Sequence, residues 1–183
     1  MHISNEYRKQ QEHLHKTVDN YGSVGRQFGE MISGIVDKAE IDSVLDYGAG
    51  HRMSLKDTLK PERKISYTAY DPGVKELRDD PEPADLVCII DVLEHIEPEY
   101  LDDVLDHLEE LTQVILFATV CTSAAIKKLP DGRNAHLIQQ PMSWWLPKIW
   151  EREFELQTVQ MTQPNHFFLI AHKSGLDVVD NSR

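Results

Sequence analysis

The chain has 183 residues, 40% of them hydrophobic and 27% charged, with a formal net charge of −12. This balance fits one globular domain with a core of its own. The acidic excess argues against broad nucleic-acid binding, which needs a basic surface. No apolar run approaches the ~18 residues of a membrane span.

The N-terminus, MHISNEYRKQQEHLHK, has no apolar core of the signal-peptide kind. Residues 1–20 read as a polar helix that packs weakly. Residues 24–39 place Val24, Phe28, Met31, Ile32, Ile35 and Val36 at helical spacing, which predicts an amphipathic helix. DSVLDYG then reads as a short apolar strand ending in a turn, MSLKDTLK as a short helix, and ISYTAYD as a second strand ending in an acid. ADLVCIID is a third strand, too apolar for one exposed face. PEYLDDVLDHLEELT is an amphipathic helix with Pro98 in its first turn and a stripe of Leu101, Val104, Leu105, Leu108 and Leu111. QVILFATV is another buried strand. PMSWWLPKIWERE starts as a helix that Pro147 kinks or ends. FELQTVQMT and HFFLIAHK are two β segments joined by the turn QPN, hence antiparallel.

Strands alternating with helices predict a doubly wound, Rossmann-like, mainly parallel α/β sheet with an antiparallel strand near one edge. A single domain over 1–183 is expected, with an N-terminal segment 1–23, a core 24–173 and a flexible tail 174–183. The two cysteines, Cys88 and Cys121, lie in or beside apolar runs and read as reduced core thiols of a cytoplasmic protein. No zinc-type spacing is present, so no metal is expected.

In such a sheet a ligand binds beyond the carboxyl ends of the strands, where strand order reverses. After the first strand, Asp46 is followed by Gly48 and Gly50, which let the backbone turn sharply beside a ligand. Asp71 lies 21 residues after Gly50, at the end of the next strand, where an acid accepts ribose hydroxyls. A dinucleotide fingerprint needs a third glycine; Met53 stands in that register, so a pyrophosphate fits poorly. S-adenosylmethionine fits better: it has a ribose, no phosphate, an ammonium for Asp46 and a carboxylate for Arg52 or a backbone N–H.

The segments VLDYGAG, AYDPG and ADLVCIIDVLEHIEPE resemble those of the class I S-adenosylmethionine-dependent methyltransferases. The resemblance covers roughly residues 25–120 by motif and the rest by element order. LPDGRNAHLIQQPMSWW looks like a compact phage and bacterial methyltransferase-like group. The resemblance implies that Asp46, Gly48 and Gly50 line the methionine end, Asp71 the ribose, and Asp91 with its neighbours the reactive methyl. It also implies methyl transfer to a small-molecule acceptor, the chain being too short for a separate substrate domain.

Two departures stand out. Arg52 either clamps the cofactor carboxylate or crowds the pocket. The 13 residues from Pro72 to Ala84 leave no room for the family's next helix, strand and adenine-binding acid. The sheet is thus truncated between its second strand and the strand of the fourth motif, and adenine falls to apolar residues such as Val92 and Leu93.

For the chemistry, His136 in the loop DGRNAH is a general-base candidate, or a loop histidine bonded to backbone. Asp91 and His95 are further catalytic candidates, or a cap and a helix start. Arg133 and Asn134 bind a polar acceptor group, or build the Asp131-Gly132 turn. Trp144 and Trp145 wall the acceptor, although adjacent helical positions cannot both face one way. Tyr21 and Gly22 stand where a segment closes over the cofactor. A protein that binds the cofactor without transferring its methyl is the competing function. A nucleic-acid methyltransferase is disfavoured by the charge and by DVLE after the third strand, where amino-methylating DNA enzymes carry a proline pair. Nothing in the sequence sets an oligomeric state.

Overall fold

The computed structural model describes residues 2–18 and 22–175. Its core is a six-stranded sheet of β1 (Ser43–Tyr47), β2 (Ser66–Tyr70), β3 (Ala84–Ile90), β4 (Thr112–Cys121), β5 (Phe154–Gln163) and β6 (His166–Lys173). The spatial order is β2-β1-β3-β4-β6-β5. β1 runs parallel to β2 and β3, and β3 parallel to β4; β6 is antiparallel to both β4 and β5. The fold is therefore the expected mainly parallel, Rossmann-like sheet, with the antiparallel hairpin at one end.

Alternation sorts the side chains. Ile115 and Phe117 of β4 face one layer, with Phe28, Ile32 and Val36; Leu116, Ala118 and Val120 face the other. That second layer holds α3 (Leu101–Leu111) and α4 (Met142–Trp150). All five residues of the predicted α3 stripe are buried. Asp102 and Asp103 sit in its first turn, where the helix dipole favours negative charge.

Four local expectations are corrected. The helix over 24–39 is split: a 3-10 turn at Val24–Gln27 precedes α2 (Gly29–Lys38). The reason is close packing, since a Cβ on Gly29 would lie 2.6 Å from the Thr58 carbonyl carbon and one on Gly25 3.1 Å from the Leu55 amide nitrogen. Met31, placed on the apolar stripe, is exposed. MSLKDTLK forms successive turns rather than a helix, and Met53 at its start takes a φ of 45°, outside the right-handed region. Pro147 stands inside α4 without ending it, and the Glu151 N–H still reaches the Pro147 carbonyl at 2.9 Å.

The fifth correction matters most for the site. The N-terminal segment does not pack weakly. Helix α1 (Asn5–Thr17), capped by Ser4, buries Tyr7, Gln10, Gln11 and Leu14. Tyr7 and Leu14 form a small third core with Leu129 and Ala135. Between Asp71 and β3 the chain has only a 3-10 turn, Lys75–Leu77, so β2 is the edge strand, as the truncated pattern predicts. The expected flexible tail at 174–183 lies, from residue 176, outside the described residues.

Candidate functional site at the strand tips

From β1 the chain passes to β2 on one side and, through β2, to β3 on the other. The carboxyl ends of β1 and β3 therefore diverge around a crevice. A cavity of about 520 Å³ occupies it, walled by the turn after β1, by Asp71 and by the tip of β3. Helix α1 roofs it through Tyr7, Gln11 and His15, with Ile3 just before the helix also lining it. The Tyr7 hydroxyl donates to the His95 carbonyl at 2.6 Å, and Ser4 donates twice to the Glu97 carboxylate.

Gly48 and Gly50 take φ values of 80° and 64°, which only glycine adopts readily. The Gly48 N–H donates to the Tyr70 carbonyl at 2.7 Å. The Gly50 N–H donates to Asp71 Oδ2 at 2.8 Å, and the Gly73 N–H to Asp71 Oδ1 at 2.8 Å. The short helix expected after this turn is absent; one aspartate gathers the backbone instead. Burial pushes the Asp71 carboxyl up, opposed by His15 at 3.8 Å and by the two amides.

Asp46 also faces the cavity and is 4% exposed. Tyr67 donates to its Oδ2 at 2.6 Å. Burial pushes its carboxyl up to about 7, against that hydrogen bond and with help from the nearby Asp71.

At the tip of β3, Asp91 has a φ of 52°. Its Oδ1 accepts from the Thr119 hydroxyl and from His166 Nε2, both at 2.6 Å. Burial alone would raise this carboxyl; the two donors hold it below the usual range. His166, in the antiparallel β6, was not legible as a site residue, because 75 positions separate it from Asp91. Val92 follows and packs onto Gly48, where any Cβ would overlap it.

His95 and His136 line the same cavity, their rings 4.7 Å apart and edge to face. His95 Nδ1 lies 2.8 Å from the Ala135 carbonyl, and His136 Nδ1 lies 2.6 Å from the Ser123 carbonyl. Burial, then the neighbouring His136, lowers the His95 ring to about 4. Glu94 behind them is fully buried; its Oε1 accepts the Cys121 N–H at 2.8 Å.

The other sequence candidates lie elsewhere. Arg52 is exposed and outside the cavity wall. Leu93 is fully buried in the α3–α4 core, because the 3-10 turn at Leu93–His95 rotates it away. Trp145 is also fully buried, its indole N–H on the Gln140 carbonyl, and Trp144 packs beside it under Lys148. Asn134 clips its own loop through the Ala125 backbone, and Arg133 pairs with Asp131 at 2.7 Å. Gly22 reaches the cavity; Tyr21 lies outside the described residues. The roof helix was the main omission. Its signal was Ile3, Tyr7, Gln11 and Leu14 at helical spacing, masked by the polar residues between them.

A family model described as a methyltransferase domain matches residues 9–181. No protein of curated function matches the sequence. Among solved structures, an O-methyltransferase family protein from Burkholderia thailandensis is similar with a TM-score of 0.64 and 14% identity, over 91% of this chain and 63% of that one. This chain thus spans less than two thirds of that protein's length. A 1,6-didemethyltoxoflavin N1-methyltransferase from the same organism, with 1,6-didemethyltoxoflavin and S-adenosylhomocysteine bound, gives 0.63 and 16%, over 92% and 89%. The magnesium protoporphyrin IX methyltransferase of Synechocystis PCC 6803 with S-adenosylhomocysteine gives 0.60 and 20%, over 82% and 84%. At these identities the likeness is one of fold.

Proposed function

The chain belongs to the methyltransferase-domain family, and on that premise we propose that it binds S-adenosylmethionine at the strand tips and methylates a small-molecule acceptor. One observation carries this reading. Asp46, the Gly48–Gly50 turn and Asp71 share one cavity of about 520 Å³ with His95 and His136. That volume is in the usual range for sites that enclose a compact ligand.

The residues fit the cofactor. Each Asp71 oxygen uses one lone pair on an amide and keeps another for a ribose hydroxyl. Asp46 is a buried acid with a single hydrogen-bond partner shown, Tyr67, so an ammonium beside it would stabilise its ionised form. Val92 and the other apolar residues of the lining are the surfaces available to adenine, which replaces the expected pairing of Val92 with Leu93. When bound, the cofactor supplies a methyl group already activated on a sulfonium.

The protein's part is then positioning and exclusion of water. Helix α1 covers the cavity, Asp91 is fixed by Thr119 and His166, and His136 lines the cavity on the side proposed for the acceptor. Neither Arg52 nor the two tryptophans retain a role in this reading. The small-molecule acceptor is supported by the enclosed site and by two of the similar proteins, which are methyltransferases named for 1,6-didemethyltoxoflavin and magnesium protoporphyrin IX. Among the described residues no helix is long and apolar enough to cross a membrane. A cytoplasmic setting is supported by both cysteines being free thiols.

Binding without transfer is favoured by one feature: a 3-10 turn is the only regular structure between Asp71 and β3, where an adenine-binding acid was sought. Calorimetric titration with S-adenosylmethionine and S-adenosylhomocysteine tests the shared part. Binding of both with a raised melting temperature is expected; no binding of either sinks both readings. Transfer of labelled methyl to small molecules of a cell extract separates the two.

A further inference from the structure

Glu94 is a buried carboxyl with an orphaned oxygen. Its Oε1 accepts the Cys121 N–H, while its Oε2, also buried, has no hydrogen-bond partner among the described residues. An acid left so is costly unless something meets it. Two imidazoles stand beside it. One ligand atom from each of Glu94, His95 and His136 lies within 4.8 Å of the other two. Both rings face a backbone carbonyl through Nδ1, which fixes the proton there and the lone pair on Nε2. That is the arrangement by which proteins orient metal-binding histidines.

We propose that Glu94, His95 and His136 bind a divalent transition-metal ion on the acceptor side of the cavity, with an open position for an oxygen of the methyl acceptor. Two imidazoles and one carboxylate suit zinc, manganese or iron(II) better than magnesium or calcium. A tetrahedral ion bonded at ~2.0–2.2 Å sets its ligands about 3.4 Å apart, so the three atoms, now within 4.8 Å of one another, must close by up to about 1.4 Å. Sequence spacing hid this set, because His136 arrives from the loop after β4, 41 residues beyond His95.

The ion would take over the work assigned above to a histidine base. A hydroxyl bound to it loses its proton to solvent at a lower pH. The freed oxygen lone pair forms the new O–CH₃ bond, and the pair of the broken S–CH₃ bond stays on sulfur. No electron is gained or lost by the metal. This second half rests on the methyltransferase reading; the ion site rests on the three side chains alone.

The test uses the full chain freed of metal with a chelator. Cobalt(II) is titrated by visible absorption and zinc and manganese by calorimetry, with and without S-adenosylhomocysteine. One ion per chain is expected, with His136→Ala and Glu94→Gln each weakening it at least about tenfold. If Glu94→Gln does not fold, His136→Ala in its half-buried loop carries the test. His107→Gln should bind as the wild type does. It probes the rival pair, His2 stacked on His107 at 4.1 Å. No binding by the wild type, binding indifferent to both ligand variants, or binding lost with His107→Gln overturns the proposal. S-adenosylhomocysteine binding without metal binding overturns it and leaves the methyltransferase reading standing. Metal binding without S-adenosylhomocysteine binding upholds the ion site and overturns its role toward the acceptor.

Discussion

The Asp71 carboxylate accepts the Gly50 amide at 2.8 Å, tying the tip of β2 to the turn that follows β1. The same side chain accepts the Gly73 amide at 2.8 Å. One acid thus holds two loops at the mouth of the crevice and still faces the cavity. Asp71→Asn places an amide donor against one of those N–H groups. The variant should lose about 1–3 kcal/mol of stability and bind S-adenosylhomocysteine at least about tenfold more weakly. Thermal melting and calorimetry check both; unchanged affinity would show that the ribose contact is misplaced.

Asp46 makes the fold pH-sensitive. Burial lifts its carboxyl from an ordinary 3.8 to about 7. The unfolded chain releases this proton near 3.8, whereas the folded chain keeps it to about 7. Stability from this group is therefore full below the lower value and lost as pH rises through the upper one. Asp46→Asn should remove that slope and gain on the wild type by up to about 4 kcal/mol between about pH 4 and pH 8. Denaturant unfolding across that range checks it, and parallel profiles would refute it. The ligand works oppositely: an ammonium needs the ionised acid, so wild-type affinity for S-adenosylhomocysteine should rise with pH through about 7.

Gly48→Ala combines two costs. Its φ of 80° disfavours any side chain by ~1–2 kcal/mol, and the new methyl overlaps Val92. Adding Val92→Ala should recover the overlap but not the backbone cost. A double-mutant cycle by chemical unfolding reads the difference, and strict additivity would show that the two residues do not meet.

Arg52 and Trp145 make a contrasting pair. Arg52→Gly should leave S-adenosylhomocysteine affinity as it is, because the side chain is exposed outside the cavity. Trp145→Ala should cost about 3–5 kcal/mol by opening a hole in the core, with ligand affinity of the folded fraction unchanged. A large affinity change in Arg52→Gly would restore the carboxylate clamp.

Tyr7→Phe removes the donor that ties the roof helix to the His95 carbonyl at 2.6 Å. The loss is about 1 kcal/mol, concentrated in α1. Bound S-adenosylhomocysteine should dissociate faster from the variant in stopped-flow measurements, with little change in the association rate. Equal dissociation rates would mean that α1 does not cover the ligand.

Much of the fold was legible because its signals are local. The buried runs of β3 and β4, the α3 stripe and the QPN turn each need only neighbours along the chain. Asp46, Gly48, Gly50 and Asp71 were legible because a fixed strand-turn-strand path sets their spacing. Arg52 and Leu93 misled because their placement is not set by local spacing: Arg52 stands exposed outside the cavity lining, and a 3-10 turn at Leu93 sends that side chain into the core.

The strand segments, their mainly parallel sense and the acids at their tips were determined by the sequence alone, since side-chain period and turn chemistry act over a few residues; the spatial order of the strands came from the tertiary structure. The tertiary structure decided what gathers around those tips. It brought Tyr7 and His15 over the crevice, His166 onto Asp91, and His136 beside Glu94 and His95. Such meetings depend on how whole layers pack, and residues brought together by packing leave no common mark in the linear chain.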